Sequence, residues 1–459
     1  MLETCLGALG LAAPGPGAVR VHGTARGLAS VLPVAALAEA TVTTALLAAA
    51  DLAEARGVPR PAVTVDRGHV AAAFRSERHL RLAGGDGFAM FDPLSAFLPT
   101  ADGWIRTHAN YPQHRCALLR VLGLPEPADG ADVARARDAV AAWRAVELES
   151  ALVEAGGCAA AVRDEATWLA TPQGSTVAGQ PLLDVSAVAD SPRRAAGLRP
   201  GELPASGVRV LDLTRVIAGP VGGRLLAALG ADVLRVDSPR SPELPHQALD
   251  TGPGKRSALL DLADPAGRAA FEELLADADA LVQGYRPGAL AAFGLAPEEL
   301  AERHPHLVTV TLSAWGERGP WRHRRGFDSL VQAATGIAEL CRPAPDAAPG
   351  ALPAQALDHG TGYLAAAAVL AGLATRQRTG RVTTSRLALA RTAHALLGQE
   401  RHPVETEPEP DADVAAYRQE FETSAGRVSL IGPPGVLDDR PLRWAHGPSG
   451  WGADEPVWG

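Results

Sequence analysis

The sequence is poor in the cysteines that hold disulfide and zinc frameworks together. Its 459 residues include only four, Cys5, Cys116, Cys158 and Cys341, and no two of them form a C-x-x-C pair. Disulfide-rich domains and structural zinc sites use closely and regularly spaced cysteines, so this pattern argues against both. We expect the four thiols to lie in the protein core.

The chain also lacks a long apolar run and an excess of basic residues. No stretch of 18 or more residues is uninterruptedly apolar, and the first residues, Met1 to Thr4, have neither the basic flank nor the apolar core of a signal peptide. We therefore expect a cytoplasmic protein with no membrane partner. A formal net charge of -9 disfavours nucleic acid as a partner, because phosphate binding needs a basic surface.

Several short motifs of common enzyme classes are absent. Neither the G-x-G-x-x-G fingerprint nor a P-loop is present, and Gly254–Ser257 lacks the upstream glycine that a P-loop requires. H-E-x-x-H and G-x-S-x-G are absent as well. These absences disfavour both nucleotide-binding motifs, zinc hydrolases and serine hydrolases, and we expect no bound metal.

The sequence does contain two differently patterned halves. With 47% hydrophobic and 21% charged residues, the chain has the composition of a folded globular protein. Residues 1–190 are predicted to form a smaller α+β module, with helices over 34–56 and 133–154 and a strand over 104–108. A linker rich in Pro, Gly and Arg is predicted at 191–207. Residues 208–459 are predicted to form a large α/β domain.

In the second half, short apolar segments alternate with helical segments, which is typical of a parallel sheet built from βαβ units. The predicted strands are 208–213, 233–236, 280–282 and 307–312. The predicted helices are 221–229 and 265–275, and Asp264 caps the second of them. The fold class is therefore α/β, an open parallel-sheet, Rossmann-like domain preceded by a smaller α+β, lid-like domain.

Cationic residues cluster around the loops of the predicted sheet. The chain has 43 Lys and Arg residues, of which only Lys255 is lysine. The cluster consists of Arg215, Arg235, Arg240, Lys255, Arg256 and Arg286. Most of them follow the carboxyl end of a strand, which is where ligands of open α/β sheets bind. This shared edge favours a polyphosphate ligand, because arginine side chains bind phosphate well.

Asp358 precedes an alanine-rich helix and has two possible roles, a cap for the helix N-terminus or a reactive carboxylate. A faint internal repeat helps to separate them, since residues 32–56 align without gaps on 352–376 and share eight identities. The first copy has Ala38 at the register of Asp358. A similar helix is therefore predicted without a carboxylate, which favours a chemical role for Asp358.

Ordered motifs in the second half resemble the family III CoA-transferases. This group includes formyl-CoA and carnitine CoA-transferases and, as a racemase branch, alpha-methylacyl-CoA racemase. The motifs are Leu211–Val216, Ala218–Pro220, Leu229–Val233, Gly254–Ser257, Arg286–Gly288, Gly316–Pro320, Asp328 with Gln332–Ala333, and Arg378–Arg381. Each motif is short, but their common order and spacing are specific.

The resemblance implies a set of site residues. It makes Asp358 the nucleophile and places coenzyme A, the co-substrate, against the first βα turn and the neighbouring loops. The implied CoA contacts are Arg215, Val216, Ala218, Lys255, Arg256, Tyr285 and Arg286. The implied substrate and lid residues are Ile217, Asp328, Gly84, Gly85 and Gly87. Ile217 stands where some members carry a polar substrate contact, which favours a bulkier or more apolar acyl group.

The resemblance also implies an activity and partners. The implied enzyme is an acyl-CoA:carboxylate CoA-transferase that acts through an aspartyl-CoA thioester, with an acyl-CoA donor, a carboxylate acceptor and a homodimeric assembly. The first half resembles the smaller domain of the family, which normally follows the large domain. Phe327 replaces the histidine of the racemase branch and cannot exchange a proton. Two alternatives stay open: a non-catalytic CoA-binding or partner subunit, and a CoA-thioester isomerase or racemase.

Overall fold

The structure, a computed structural model, describes residues 1–83, 91–125, 130–192, 195–401 and 413–459. The helices are α1 (Leu2–Ala8), α2 (Val34–Ala55), α3 (Arg67–Ala73), α4 (Ser76–His79), α5 (Pro112–Val121), α6 (Gly130–Ala141), α7 (Ala145–Glu154), α8 (Glu165–Ala170), α9 (Pro172–Ala178), α10 (Ala218–Ala228), α11 (Pro245–Thr251), α12 (Pro265–Asp277), α13 (Pro297–Arg303), α14 (Asp328–Thr335), α15 (Ile337–Leu340), α16 (Ala356–Thr379) and α17 (Leu389–Leu397). The strands are β1 (Val19–His22), β2 (Val63–Asp66), β3 (Arg81–Leu82), β4 (Phe97–Thr100), β5 (Gly103–Thr107), β6 (Ala159–Ala161), β7 (Leu183–Asp190), β8 (Arg209–Leu213), β9 (Asp232–Asp237), β10 (Lys255–Leu259), β11 (Ala280–Gln283), β12 (Val308–Ser313), β13 (Arg381–Ala388), β14 (Arg418–Thr423), β15 (Gly426–Ile431), β16 (Val436–Leu437) and β17 (Arg440–Pro441).

A large, mostly parallel sheet dominates the second half. Its seven strands lie in the order β10-β9-β8-β11-β12-β13-β7, and only β7, at one edge, runs antiparallel to its neighbour. The inner strands are buried with no alternation, as in β8 and β12, because parallel sheets are covered on both faces. The structure confirms a mixed α/β fold and the four strands predicted for this half.

Two helix predictions have different outcomes. Asp264 caps α12 as predicted, since its carboxylate accepts a hydrogen bond from the Gly267 N–H at 3.3 Å. The single helix predicted over 133–154 is wrong, because α6 and α7 are separate. The chain turns at Arg144, where Asp102 of the β4–β5 hairpin accepts from the Ala145 N–H at 2.8 Å and caps α7. A residue more than 40 positions earlier in the sequence therefore divides the periodic segment into two helices.

The long helices α2 and α16 are the two copies of the internal repeat, and they pack against each other in one continuous core. By length and composition α2 could cross a membrane, with a mean hydropathy of 1.4, but 78% of that stretch is buried inside the protein. Its alanines allow close packing of the helix backbones. In the structure, α2 is a core helix.

Strands of the first half pair with strands of the second half. β7 lies against β13, β2 pairs with both β1 and β16, and β3 pairs with β15. A smaller sheet, β4-β5-β6, packs with α5, α6 and α7 around its own apolar cluster. The division into domains at 191–207 stays a prediction.

Candidate active site

The turn that follows β8 carries the predicted ligand residues and has a strained backbone. Val216 adopts φ 69°, a left-handed conformation that is costly for a β-branched residue. Its N–H donates to the carboxylate of Glu243 at 3.0 Å, which holds the turn in this conformation. The turn leads directly into α10, so Val216, Ile217 and Ala218 present a compact edge at the end of the strand.

Glu243 is the centre of a buried polar network beside this turn. Its carboxylate accepts from the Tyr111 hydroxyl at 2.6 Å and from Arg235 at 3.0 Å, and Arg215 lies 3.6 Å away. Burial alone would raise the pKa of Glu243, but Arg235 and Arg215 lower it to about 2. Glu243 is therefore an anion, and it binds Arg235. Because of this partner, Arg235 of the predicted cationic cluster does not offer its charge to a ligand.

A cavity of about 390 Å³, the main cavity, opens beside the turn. Most of the predicted CoA contacts line it. Arg215, Val216, Ala218, Tyr285, Arg286 and Asp358 all line it. The sequence reasoning missed other lining residues, namely Tyr111, Gln113, His114, Arg324, Arg325 and Phe327. The run Arg322–Arg325 before Gly326 was the available signal for two of them, whereas the first-half residues arrive through tertiary contacts alone.

Two arginines of this main cavity have no carboxylate partner within ion-pair distance in the described chain. Arg286 donates to the carbonyl of His323 at 2.9 Å, and Arg325 contacts the carbonyl of Gly156 at 3.4 Å. Burial and the neighbouring Arg325 lower the pKa of Arg286. Uncompensated guanidinium groups at a cavity wall suit an anionic ligand.

Lys255 and Arg256 do not reach the main cavity. Lys255 is 2% exposed, and its ammonium lies 2.9 Å from Asp212 under α10. A Cβ at Gly223 would lie 2.5 Å from the Asp212 carboxylate and 3.0 Å from the Lys255 nitrogen, so that glycine makes room for the pair. Arg256 pairs with Asp232 at 2.9 Å. In the structure, the lone lysine has a buried structural partner.

Asp358 does not cap the helix that contains it. α16 begins at Ala356, with Gln355 as the N-cap residue, and Asp358 lies within the first turn. The carboxylate of Asp328 accepts from the backbone N–H groups of Leu357 at 2.8 Å and Asp358 at 3.0 Å. Asp328 thus performs the capping role across space and leaves the Asp358 side chain free for another use.

The surroundings of Asp358 destabilise the negative charge of its carboxylate. Only 6% of the residue is exposed. Burial raises the pKa of Asp358 well above its ordinary value, and the nearby carboxylates of Asp328 and Glu77 raise it further. Glu77 is itself held by His359, whose Nε2 lies 3.2 Å from its carboxylate. A carboxylate in this environment is poorly solvated and correspondingly reactive as a nucleophile.

A second, smaller cavity shares Asp358 with the main cavity. Ile217 and Asp328, both predicted substrate residues, line it together with Val216, Phe327 and Asp358, which also line the main cavity. The ring of Phe327 stacks on His108 of the first half, with centroids 3.6 Å apart. Gly84, Gly85 and Gly87, the predicted lid glycines, lie outside the described residues. Phe91 lines this second cavity.

Comparisons with known proteins agree on one family. The family model described as CoA-transferase family III matches residues 205–433, about half of the chain. The chain is similar to the probable fatty acyl-CoA transferase Rv3272 of Mycobacterium tuberculosis, with 32% identity over 234 residues, 47% of this chain and 59% of the relative. It is also similar to the succinyl-CoA:glutarate CoA-transferase of Mus musculus, with 34% identity over 190 residues, 39% of this chain and 43% of the relative.

A crystal structure of Rv3272 matches 42% of this chain and 56% of its own chain, with 34% sequence identity and a TM-score of 0.40. The chain spans about half the length of the curated relatives it matches. The fold and the two cavities define a mixed α/β protein with a buried aspartate beside a cationic pocket. Through residues 205–433 it belongs to CoA-transferase family III.

Proposed function

We propose that the protein is an acyl-CoA:carboxylate CoA-transferase in which Asp358 becomes an aspartyl-CoA thioester. The observation that carries this proposal is the position of Asp358. Its buried carboxylate lies at the junction of two cavities, one lined by four arginines and the other by carboxylates and amides. Membership of the family supports a CoA thioester as the substrate.

The main cavity is the proposed site for coenzyme A. Its arginines, Arg215, Arg286, Arg324 and Arg325, offer guanidinium groups to the phosphates of the ligand. Arg286 and Arg325 carry the larger share, because Arg215 is committed to Glu243 and Arg324 lies 3.5 Å from Glu149. Val216 and Ala218 line the wall near Asp358, where the pantetheine arm would bring its sulfur to the carboxylate.

The proposed reaction consists of acyl transfers at Asp358. The Asp358 carboxylate attacks the thioester carbonyl, the C–S bond breaks, and a mixed anhydride and CoA thiolate form. The thiolate then attacks the aspartyl carbonyl, which gives aspartyl-CoA and releases the donor acid as a carboxylate. An acceptor carboxylate attacks aspartyl-CoA, and the released thiolate attacks the acceptor carbonyl of the new anhydride. The products are a new acyl-CoA and the original Asp358 carboxylate.

Exclusion of water protects these intermediates from hydrolysis. Tyr111 and His114, from the first half, line the main cavity, and His108 and Asn110 line the second cavity. The first half thus forms part of the wall of both cavities that Asp358 lines. Water exclusion also strengthens the electrostatic contacts within the site.

The test is an acyl-CoA panel with intact-mass detection. Incubation with a reactive acyl-CoA should add the mass of CoA less one water to the protein, and peptide mapping should place the adduct on Asp358. The isosteric variant Asp358→Asn should lose adduct formation and transfer by at least about 1,000-fold, because an amide cannot supply the nucleophile. Glu272→Gln, which alters a carboxylate outside both cavities, should retain both activities.

The possible outcomes separate the alternatives. Tight CoA binding with no adduct and no exchange of labelled CoA would identify a non-catalytic CoA-binding subunit. Exchange of the substrate alpha-proton with deuterated solvent would identify an isomerase or racemase.

The homodimeric assembly and the cytoplasmic location also stay proposals. Light scattering of the purified protein tests the homodimeric assembly.

A further inference from the structure

The second cavity differs in charge from the main cavity. Glu77, Asp328 and Asp358 contribute three carboxylates to its wall, and no cationic residue is among the described residues that line it. Arg106 interacts electrostatically with Asp328 but lies outside the lining, with its guanidinium 5.1 Å from the ring centroid of Phe97. A second carboxylate on a substrate would therefore meet like charges here.

Two of these carboxylates already have hydrogen-bond partners within the protein. His359 contacts Glu77 at 3.2 Å, and two helix N–H groups donate to Asp328 at 2.8 and 3.0 Å. These partners stabilise the existing anions, and none of them lines the cavity as a cation that could receive another. The charges of the cavity wall thus disfavour anionic acyl groups.

The same cavity has buried neutral groups without partners. In the described chain, Nδ1 of His108 and Oε1 of Gln247 are buried and make no hydrogen bond, and both residues line the cavity. Burial, His114 and Arg106 lower the pKa of His108 to about 3, so its ring is neutral. Buried polar atoms in proteins nearly always have hydrogen-bond partners. Two such atoms without partners at a cavity wall therefore point to a ligand that would form hydrogen bonds with them.

We infer that this cavity receives a short acyl group that carries a neutral hydrogen-bonding group, such as a hydroxyl, and no second carboxylate. The inference rests on the proposed function, because it assigns the acyl chain of the substrate to the second cavity, which Asp358 lines and the arginines do not. A hydroxyl can donate its proton to Oε1 of Gln247 and accept a hydrogen bond from Nδ1–H of His108, in the tautomer that carries the proton on Nδ1. The free space is about 30 Å³, which favours short groups. The cavity is narrower and more polar than Ile217 alone predicts.

The test compares acyl-CoA esters of one chain length. 4-Hydroxybutyryl-CoA and succinyl-CoA differ only in a hydroxymethyl group against a carboxylate, and butyryl-CoA lacks both polar groups. The rate of CoA-adduct formation on Asp358 is measured by intact mass for each ester. We expect 4-hydroxybutyryl-CoA to react at least tenfold faster than succinyl-CoA, with butyryl-CoA between them. A succinyl-CoA rate equal to or above the hydroxybutyryl rate would overturn the inference.

Two variants at one position test the mechanism of the preference. Gln247→Met should abolish the advantage of 4-hydroxybutyryl-CoA over butyryl-CoA and leave succinyl-CoA slow. Gln247→Arg places a cation in the cavity and should raise the succinyl-CoA rate at least tenfold relative to butyryl-CoA. The control Glu272→Gln removes a carboxylate that also contacts a histidine, His304 at 2.7 Å, and should leave all three ratios unchanged.

The outcomes distinguish this inference from the proposed function. If no ester of a broad acyl-CoA panel labels Asp358, the proposed function itself is wrong. If the broad panel labels Asp358 but none of the three short esters does, only the inference is wrong. An unchanged hydroxyl advantage in Gln247→Met would likewise contradict the inference alone.

Discussion

At the scale of single residues, two buried aspartates divide two tasks that a sequence cannot separate. Asp328 accepts hydrogen bonds from the first turn of α16, while Asp358, inside that turn, faces both cavities. An aspartate before an alanine-rich segment is usually a cap. The repeat comparison with Ala38 favoured chemistry for Asp358, which stays a prediction, and the structure shows that the cap comes from another helix.

The raised pKa of Asp358 predicts the pH dependence of the reaction. The reactive form is the carboxylate, so the rate of adduct formation should rise with pH through the pKa of Asp358. Because Glu77 is one of the charges that raise this pKa, Glu77→Gln should lower it. The midpoint of the profile of kcat/KM against pH should therefore move to lower pH by about one pH unit.

Glu272→Gln is the matched control for this measurement, since its carboxylate contacts His304 at 2.7 Å but lines neither cavity. Its pH profile should coincide with that of the unaltered protein. A midpoint that stays in place or rises in Glu77→Gln would show that Glu77 does not act on the reactive carboxylate. A lower maximal rate alone, with no shift, would indicate a packing role for Glu77 and His359.

Lys255 shows what a sequence reading of single residues misses. Its rarity and position predicted a ligand contact, yet it is buried against Asp212. The sequence places both residues on neighbouring apolar segments but does not show that they meet under α10. Conversely, Tyr111 and His108 reach the site from the first half, and no local pattern marks them. Contacts between distant segments decide these roles.

At the scale of elements, the crossing of α10 and α16 sets the position of Asp358. A Cβ at Gly362 would lie 2.2 Å from the carbonyl oxygen of Ala218, and one at Gly222 would lie 2.6 Å from the carbonyl oxygen of Gly362. The two backbones touch at these glycines. This close approach brings the first turn of α16 against the start of α10, where Val216 and Ala218 line the main cavity.

Two glycines of the same helix provide a matched pair for this crossing. Gly362→Ala should destabilise the protein by about 3 kcal/mol, because the new methyl group overlaps a backbone atom and α10 must move. Gly360→Ala should be neutral or stabilising by up to about 1 kcal/mol, since alanine favours helix and the nearest atoms to its Cβ would be those of the Leu37 side chain at 3.5 Å. Denaturant titration measures both free energies of unfolding.

The crossing of α10 and α16 also affects the expected activity of the two variants. Gly362→Ala should reduce adduct formation on Asp358 more than its loss of stability explains, while Gly360→Ala should retain it. Equal stability of the two variants would contradict the close approach of the backbones.

The strands and helices around this crossing could be predicted from apolar runs and caps, because those signals are local. The division between α6 and α7 could not, because a hairpin from elsewhere in the fold supplies the cap.

At the scale of the whole molecule, the first half is part of the structure that builds the site. α2 and α16 share one core, β7 extends the central sheet, and residues near α5 line both cavities. The motifs predicted a module that resembles the smaller domain of the family and precedes the larger one. The contacts explain how this order is compatible with one site, since the chain returns to the central sheet at β7 before β8 begins.

The end of α2 ties the two halves together and makes a final prediction. The Arg56 guanidinium donates to the carbonyl of Pro204 at 2.9 Å and to that of Ala196 at 2.8 and 3.0 Å. Because Arg56 is buried, Arg56→Ala should cost about 3 kcal/mol of stability. The surface pair of Arg60 with Asp51 is the control, and Arg60→Ala should cost less than about 1 kcal/mol. Hydrogen exchange followed by mass spectrometry along a denaturant series should show α2 and α16 losing protection together, at a lower concentration in Arg56→Ala. Loss of protection in α2 alone, with α16 unchanged, would mean that the halves are stabilised separately and that the shared core does not couple them.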